Sequence, residues 1–355
     1  MPVVNTEVLD TTSDVATTTT LLHETIPMTG SILSGTYGTL IAGGNIKNYT
    51  HGMFQSVYDY PYLSSSANHI FDLTVGFDET SNLSSSVNTQ NAKKLNLYNQ
   101  FAQVLMGYTS SNADGLKKFE SDLSLDGTGS INDCFFVTFS RLLGKDQIKR
   151  NSFSITLGTG SWSTAFSHTK TLTDASASLS DAGVKNVNGG DYGVLFDGTN
   201  KAHGVIFYQA GIAVISGSVF SSASIGGAGV ADFYANSTWG SQTWRQALTG
   251  AAISGSCDAL RHRVQNISFN NTTEINSKIY FCRVPHNKFN YSANPTYVSG
   301  SKIRVKNVAS DNPVSYITTV GLYSSAGELL AVAKLSEPLR KDPTNDMTIR
   351  VRLDY

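Results

Sequence analysis

The sequence predicts a mainly β fold of the α+β kind: antiparallel sheets in β-sandwich-like domains, with a few helices and an extended N-terminal arm. Three observations carry that expectation. Ser, Thr, Asn and Gly are abundant beside 10% aromatic residues, a mixture that suits strands joined by many turns better than helix bundles. Met347, Ile349, Val351, Leu353 and Tyr355 alternate with Thr348, Arg350, Arg352 and Asp354, the period-2 pattern of a strand with one buried and one wet face. Finally, Tyr316-Ile-Thr-Thr-Val-Gly-Leu-Tyr323 and Leu329-Leu-Ala-Val-Ala-Lys-Leu335 flank the link Ser324 to Glu328, which contains Gly327. Two β-branched and aromatic runs around a residue free to take positive φ read as a hairpin.

Taken in order, residues 1–53 are rich in Thr, Ser and Gly and can bury little of themselves, so they are expected to form a docking arm with short strands. Packed structure is expected to begin near Phe54, where Tyr58, Tyr60, Tyr62 and Phe71 surround Pro61, and His69 to Phe77 has strand character. Asn88 to Gly107 is the best helix, with an apolar stripe through Ala92, Leu95, Tyr98, Phe101, Ala102 and Leu105, Thr89 as its cap and Gly107 as its stop. A shorter helix is expected over Asp114 to Leu123. Asp133 to Phe139 and Asn151 to Leu157 read as central strands, joined by an exposed turn over Arg141 to Arg150.

Between residues 158 and 255 the texture changes to Ser, Gly and Ala with few charges, which suggests a β-rich insertion domain within a main domain of residues 54–157 and 256–355. Inside it, Tyr192 to Phe196, the turn Asp197-Gly-Thr-Asn200, Gly204 to Tyr208 and Ile212 to Ile215 form a hairpin and its continuation. Gly204 to Phe220 carries no charge, but Gln209, Gly211 and Ser216 interrupt it, so buried strands are expected and not a membrane span of about 20 residues. Ser241 to Leu248 is a short helix. Ile267 to Phe269 and Lys278 to Cys282 form a second hairpin about a turn at Asn270-Asn271, and the cations of Arg261-His262-Arg263 are expected on an exposed strand face, with anion binding as the alternative.

The 355 residues suffice for two or three domains. With 26 basic against 27 acidic residues, no general case for nucleic-acid binding arises. The charge is uneven: residues 1–87 hold one lysine, Lys47, against eight acids, so they carry −7 and the rest +6, which permits a head-to-tail contact between copies or a plain acidic surface. Cys134, Cys257 and Cys282 are widely separated and read as buried free thiols, compatible with assembly in a reducing cytoplasm. The first residues lack the basic and apolar regions of a signal peptide.

No chemistry-bearing motif emerges. The seven histidines show no metal-ligand spacing, and there is neither a Gly-x-Ser-x-Gly elbow nor a phosphate-binding Gly-rich loop. Asp122 to Gly127 resembles a calcium loop without its ligand spacing or closing glutamate. No catalytic residue, cofactor or metal is therefore expected, and the chain is read as a non-enzyme.

The closing string YITTVGLYSSAGELLAVAKLSEPLRKDPTNDMTIRVRLDY resembles the end of virion structural proteins of contractile-tailed bacteriophages, in particular the baseplate wedge proteins of T4-like phages and cyanophages. It is also similar to the close of phage tail-collar fibre proteins, with Gly-Leu-Tyr before a short turn and a Leu-Ala-Val-Ala-Lys strand. The resemblance extends to Ile267-Ser-Phe-Asn-Asn-Thr-Thr, to Phe289 to Tyr297 and to Cys134 to Leu143. It implies a structural part of a tail or baseplate, located in the virion and assembled in the host cytoplasm. Its partners would be other baseplate or tail proteins and copies of itself, without nucleic acid and without membrane insertion. The contact positions expected under this reading are Tyr316, Val320, Leu322, Tyr323, Leu329, Leu335 and Tyr355. The alternative is a receptor- or glycan-binding tail component, for which the aromatic loops Tyr58 to Tyr62 and Tyr234 to Trp244 would supply the surface.

Overall fold

A computed structural model describes residues 6–29, 44–84, 88–110, 112, 115–159, 166, 168–178, 181–221, 244–249, 252–292, 298–299, 302–303, 310 and 312–355. The fold is mainly β with few helices, as the sequence predicts. It divides into two compact units, Leu22–Thr273 and Met1–Leu21 with Glu274–Tyr355. Both boundaries fall inside long strands, β1 (Val15–Thr29) and β13 (Val264–Val284).

The larger unit is built on an antiparallel sheet. Its strands are β2 (Ile46–Asn48), β3 (Gln55–Tyr58), β4 (His69–Phe77), β5 (Asp133–Phe139), β6 (Gln147–Ile148), β7 (Ser154–Thr159), β8 (His168–Thr173), β9 (Lys185–Val187), β10 (Gly190–Phe196), β11 (Ala202–Phe207) and β12 (Ile212–Ser216). The order runs β13-β7-β8-β10-β11-β12-β5-β4-β3-β2, with β6 on β13 and β9 on β10. The central strands are buried on both faces, which is why they read as unbroken apolar runs. Phe135, Val137, Phe139, Ile206, Ala213 and Ile215 enter one apolar cluster, while Cys134, Phe136, Val205, Phe207 and Val214 enter the other.

Four α-helices occur among the described residues: α1 (Thr89–Leu105), the single turn α2 (Arg141–Gly144), α3 (Trp244–Thr249) and α4 (Ile253–Arg261). Helix α1 brings Tyr98, Ala102 and Leu105 to the second cluster, and α4 brings Ile253, Cys257 and Leu260 to the first. The start of α1 is capped by Asn88, whose side chain accepts from Asn91 N at 2.9 Å. The expected cap, Thr89, is instead the first helical residue, because an asparagine oxygen one residue earlier already meets the orphan donor. Gly107 follows the helix at φ +86° and returns its N–H to Ala102 O, the stop expected of it. The axis of α1 passes directly over β4: a Cβ on Gly76 would stand 2.8 Å from Lys94 O.

The smaller unit contains the last part of β13, β14 (Val298–Ser299), β15 (Lys302–Ile303), β16 (Ser315–Tyr323), β17 (Leu329–Lys341) and β18 (Met347–Asp354). Ser277 to Val284 of β13 pair antiparallel with β18, and β16 and β17 form a separate two-stranded sheet. The two layers close on a small core: Val284, Ile349 and Val351 are buried against Ile317, Val320, Leu322, Ala333 and Leu335. Buried Lys341 pins the end of β17, donating to Asn290 Oδ1 at 2.8 Å and Asp342 O at 2.7 Å. In the same unit Arg283 pairs with Asp14 at 2.5 Å, and Phe281 N donates to Asp14 O.

Several expectations are corrected. Residues 115–123 are not helical: Gly115 sits at φ +72°, Leu116 and Glu120 form isolated bridges, and Phe119 is drawn fully into the second cluster. Asn270-Asn271 is not a turn, and β13 runs through it as one strand of 21 residues. The Asn271 amide, which would have closed a turn on itself, donates to Leu143 O and accepts from Glu24 N. Arg141 to Arg150 contains a helical turn and a short strand, while Lys145, Asp146 and Lys149 are exposed as expected. Arg261 and Arg263 are buried, Arg261 ending α4 with its Nε on Gln55 Oε1 at 2.9 Å. The division of the chain also differs from the one drawn on composition. Strands β8 and β10 to β12 of the expected insertion hydrogen-bond in line between β7 and β5 of the expected main domain, so they belong to the larger unit, while residues 274–355 belong to the smaller one.

Candidate functional site

The C-terminal hairpin is the surface that the sequence singles out. The link Ser324 to Glu328 closes it, with Ser324 N donating to Glu328 O at 2.8 Å and Gly327 at φ +81°. Pairing runs Tyr316↔Arg340, Ile317↔Leu339, Thr319↔Lys334, Val320↔Ala333, Gly321↔Val332, Leu322↔Ala331 and Tyr323↔Leu329. At the first irregularity Leu335 to Pro338 of β17 stand against Thr318 alone, and β16 breaks its alternation there, Thr318 and Thr319 both being exposed; at the second Leu330 is the surplus residue.

The pairing sorts the expected contact residues into two sets. Val320, Leu322 and Leu335 turn inward onto the core of the smaller unit, so their first role is packing. Tyr316, Tyr323, Leu329 and Tyr355 face water, the two hairpin tyrosines at 63% and 57% exposure. Sequence reasoning missed Leu330, Val332 and Leu339, which are also exposed. A signal for one of them was available: in Leu329-Leu330 two large apolar residues are adjacent, and alternation can hide only one. On the outer face Tyr323 and Leu329 lean over Gly321, where an added Cβ would come within 2.9 Å and 3.3 Å of their side chains.

The edges of this sheet differ. Along β17 lie Lys334, Glu337, Pro338 and Arg340, the charges and the proline with which proteins blunt an edge. From Tyr316 to Tyr323 β16 carries no charge, and among the described residues it pairs with β17 alone. Its outward N–H and C=O groups form a template for one more strand.

The larger unit holds two polar clusters. Between β10 and β11, Asp197 takes Lys170 Nζ at 2.6 Å and His203 Nε2 at 3.0 Å on Oδ2, and Thr199 Oγ1, Thr199 N and Lys201 N on Oδ1. Burial alone would raise this carboxyl, yet Lys170, Thr199 and Lys201 together hold it well below the usual carboxylate range, and burial lowers His203. With both carboxylate oxygens engaged internally, this cluster serves the hairpin. At the β2 edge, Lys47 lies 4.7 Å over the Tyr49 ring, Tyr58 meets Tyr62 and His69, and Asp72 receives Ser56 and His69. Its aromatic faces are largely engaged with one another. Of the second loop named above, only Trp244, at the start of α3, lies within the described residues.

Asp122 and Asp126 cap their own turns through Ser124 and Thr128, and among the described residues no group of three or more His, Cys, Asp or Glu side chains could hold a metal ion. Among them also, no helix is long and apolar enough to cross a membrane. Comparison of the chain with protein-family models, curated proteins and solved structures returns no match.

Proposed function

We propose that this chain is a structural component of a bacteriophage virion, a baseplate wedge or tail protein that acts through protein–protein contacts in a symmetric assembly. The observation that carries the reading is the hairpin: a strand edge that is uncharged and, among the described residues, without a pairing strand, beside Tyr316, Tyr323, Leu329, Leu330 and Val332, all exposed. Clustered exposed apolar residues mark interaction sites, and Tyr is among the residues that dominate contact energies. The resemblance of this same segment to wedge and collar-fibre proteins supplies the setting. The mechanism is geometric: apolar anchors bury at subunit contacts, Ser, Thr and Asn form the rim, and repetition around a ring makes modest contacts strong. No catalytic group, cofactor or nucleic acid enters it.

The alternative, a receptor- or glycan-binding tail component, draws its support from the Tyr49, Tyr58 and Tyr62 cluster around Asp72 and His69. Mass spectrometry of purified particles during stepwise disassembly separates the two. Release with the tail-end subassembly in multiples of three or six supports the wedge reading. A single distal trimer that still binds host glycan after mutation of the hairpin favours the alternative, and absence from particles sinks both.

A further inference from the structure

An asparagine followed by glycine readily loses its side-chain amide, because the glycine nitrogen, with no Cβ beside it, can reach the side-chain carbonyl carbon and close a ring. Asn188-Gly189 is the one such pair in the chain. It forms the turn between β9 and β10, bracketed by the pair Val187↔Gly190, and Asn188 is exposed. In a free turn of this kind nothing would hold the reacting nitrogen back.

The fold seats this turn on the end of α1. Gly189 N donates to Leu105 O at 2.7 Å, and the approach is close: a Cβ on Gly189 would stand 2.8 Å from Leu105 Cδ2 and 3.0 Å from Leu105 Cα. The Asn188 carboxamide lies over Gly107, the residue that stops the helix, where an added Cβ would meet its Cγ and Nδ2 at 3.1 Å. Leu105 is itself buried in the second core cluster. The nitrogen that would attack is therefore fixed, by its hydrogen bond and by packing, to a helix end anchored in the core.

We propose that Asn188 is a guarded deamidation site, kept as asparagine while the β9–β10 turn sits on α1 and converted to aspartate or isoaspartate once the turn lifts. Gly189 N bonds to Asn188 Cγ, and the side-chain nitrogen leaves as ammonia with the proton that Gly189 N gives up. Water then opens the ring at either carbonyl. No oxidant, reductant or further reactant enters. Ring closure waits for Gly189 N to part from Leu105 O, a local opening that requires less free energy than unfolding the whole unit. The product carries a carboxylate beside Gly107, at the end of α1 where the helix carbonyls already concentrate negative charge. Isoaspartate also adds a carbon to the backbone of the turn, against the register that pairs Val187 with Gly190. A turn that has reacted is thus held off the helix. This site is independent of the hairpin and of the assembly proposed above.

The test follows the peptide containing Asn188 by mass spectrometry after the full chain has stood at mildly alkaline pH, with and without guanidinium chloride. Deamidation is expected to run at least about tenfold more slowly in the native chain than in denaturant. Gly107→Ala places a methyl where the Asn188 carboxamide lies, and is expected to raise the native rate at least about threefold with the circular dichroism retained. Asn188→Asp is expected to speed hydrogen exchange at Gly189 and in the last turn of α1 more than Asn188→Ser, which removes the carboxamide without adding charge. Equal rates in the native and denatured chains overturn the proposal. A folded Gly107→Ala chain that deamidates no faster than wild type overturns it, as does exchange in Asn188→Asp no faster than in Asn188→Ser. Should Gly107→Ala fail to fold, the other two comparisons decide.

Discussion

Asp197 and His203 face each other inside the β10–β11 turn, Oδ2 to Nε2 at 3.0 Å, both side chains almost fully buried. Their titrations make the stability of the larger unit depend on pH. His203 is held below its ordinary value by burial, so as pH falls below about 6.5 the unfolded chain takes up a proton that the folded one resists, and stability declines. The Asp197 carboxyl is depressed; its contribution is complete above about pH 4 and is lost as pH falls further. Urea titrations from pH 7 to 3 should therefore show a shallow decline followed by a steeper one. Asp197→Asn should remove the second and lower stability at neutral pH by about 3 kcal/mol, since it strips Lys170 of its counter-charge. An unchanged acid profile in that variant would refute the assignment.

Lys94 is buried on α1, its Nζ donating to Leu248 O, and burial pushes its ammonium down to about 8. Between that value and about 10.4 the unfolded chain holds a proton that the folded chain has released, so this group makes stability rise with pH. Denaturation midpoints measured from about pH 7.5 to 9.5, below the range where tyrosines ionise, should rise more in the wild-type chain than in Lys94→Met. Equal slopes would mean that the lysine reaches solvent.

Gly76→Ala tests how closely α1 is seated. Its methyl would meet Lys94 O at 2.8 Å and Tyr98 N at 2.9 Å, both helix backbone, and overpacking of this kind costs about 1–3 kcal/mol. The melting temperature should fall by several degrees, whereas Gly198→Ala, with nothing within 4 Å of the added carbon, should change little.

Thiol labelling reads the cores directly. Cys134 and Cys257 are buried with their thiols pushed upward by burial, while Cys282 is partly exposed. One thiol per native chain should react with an aromatic disulfide reagent, and Cys282→Ser should abolish that fast phase. Reaction of two or three at the same rate would contradict the packing described.

Much of the scaffold was readable because its signals are local. The runs at His69 to Phe77 and Asp133 to Phe139 became β4 and β5 with those bounds, and the alternation after Met347 became β18. For the hairpin, the two strands and the turn were legible, but the register, with its two irregularities, and the facing of individual residues were not. Val320 and Leu335 differ from Tyr323 and Leu329 only in what lies beneath them, namely Ile349 and Val351 more than ten positions away in sequence.

By itself the sequence determined the strand content, the helix α1 with its glycine stop, and the turns at Asp197 and Gly327, all of which depend on residues within one element. Tertiary structure alone decided the rest. Asn271 has turn chemistry, yet Leu143 O and Glu24 N supply its amide with partners and let the strand continue. Residues 115–123 could have formed a helix, yet burying Phe119 against Tyr98 and Phe136 outweighs that weak propensity. Arg261 reads as a surface cation until Gln55 and Asp258 meet it inside. In each case the deciding partner is distant in sequence or hidden by the fold, and its free energy exceeds the few tenths of a kcal/mol by which a local preference is set.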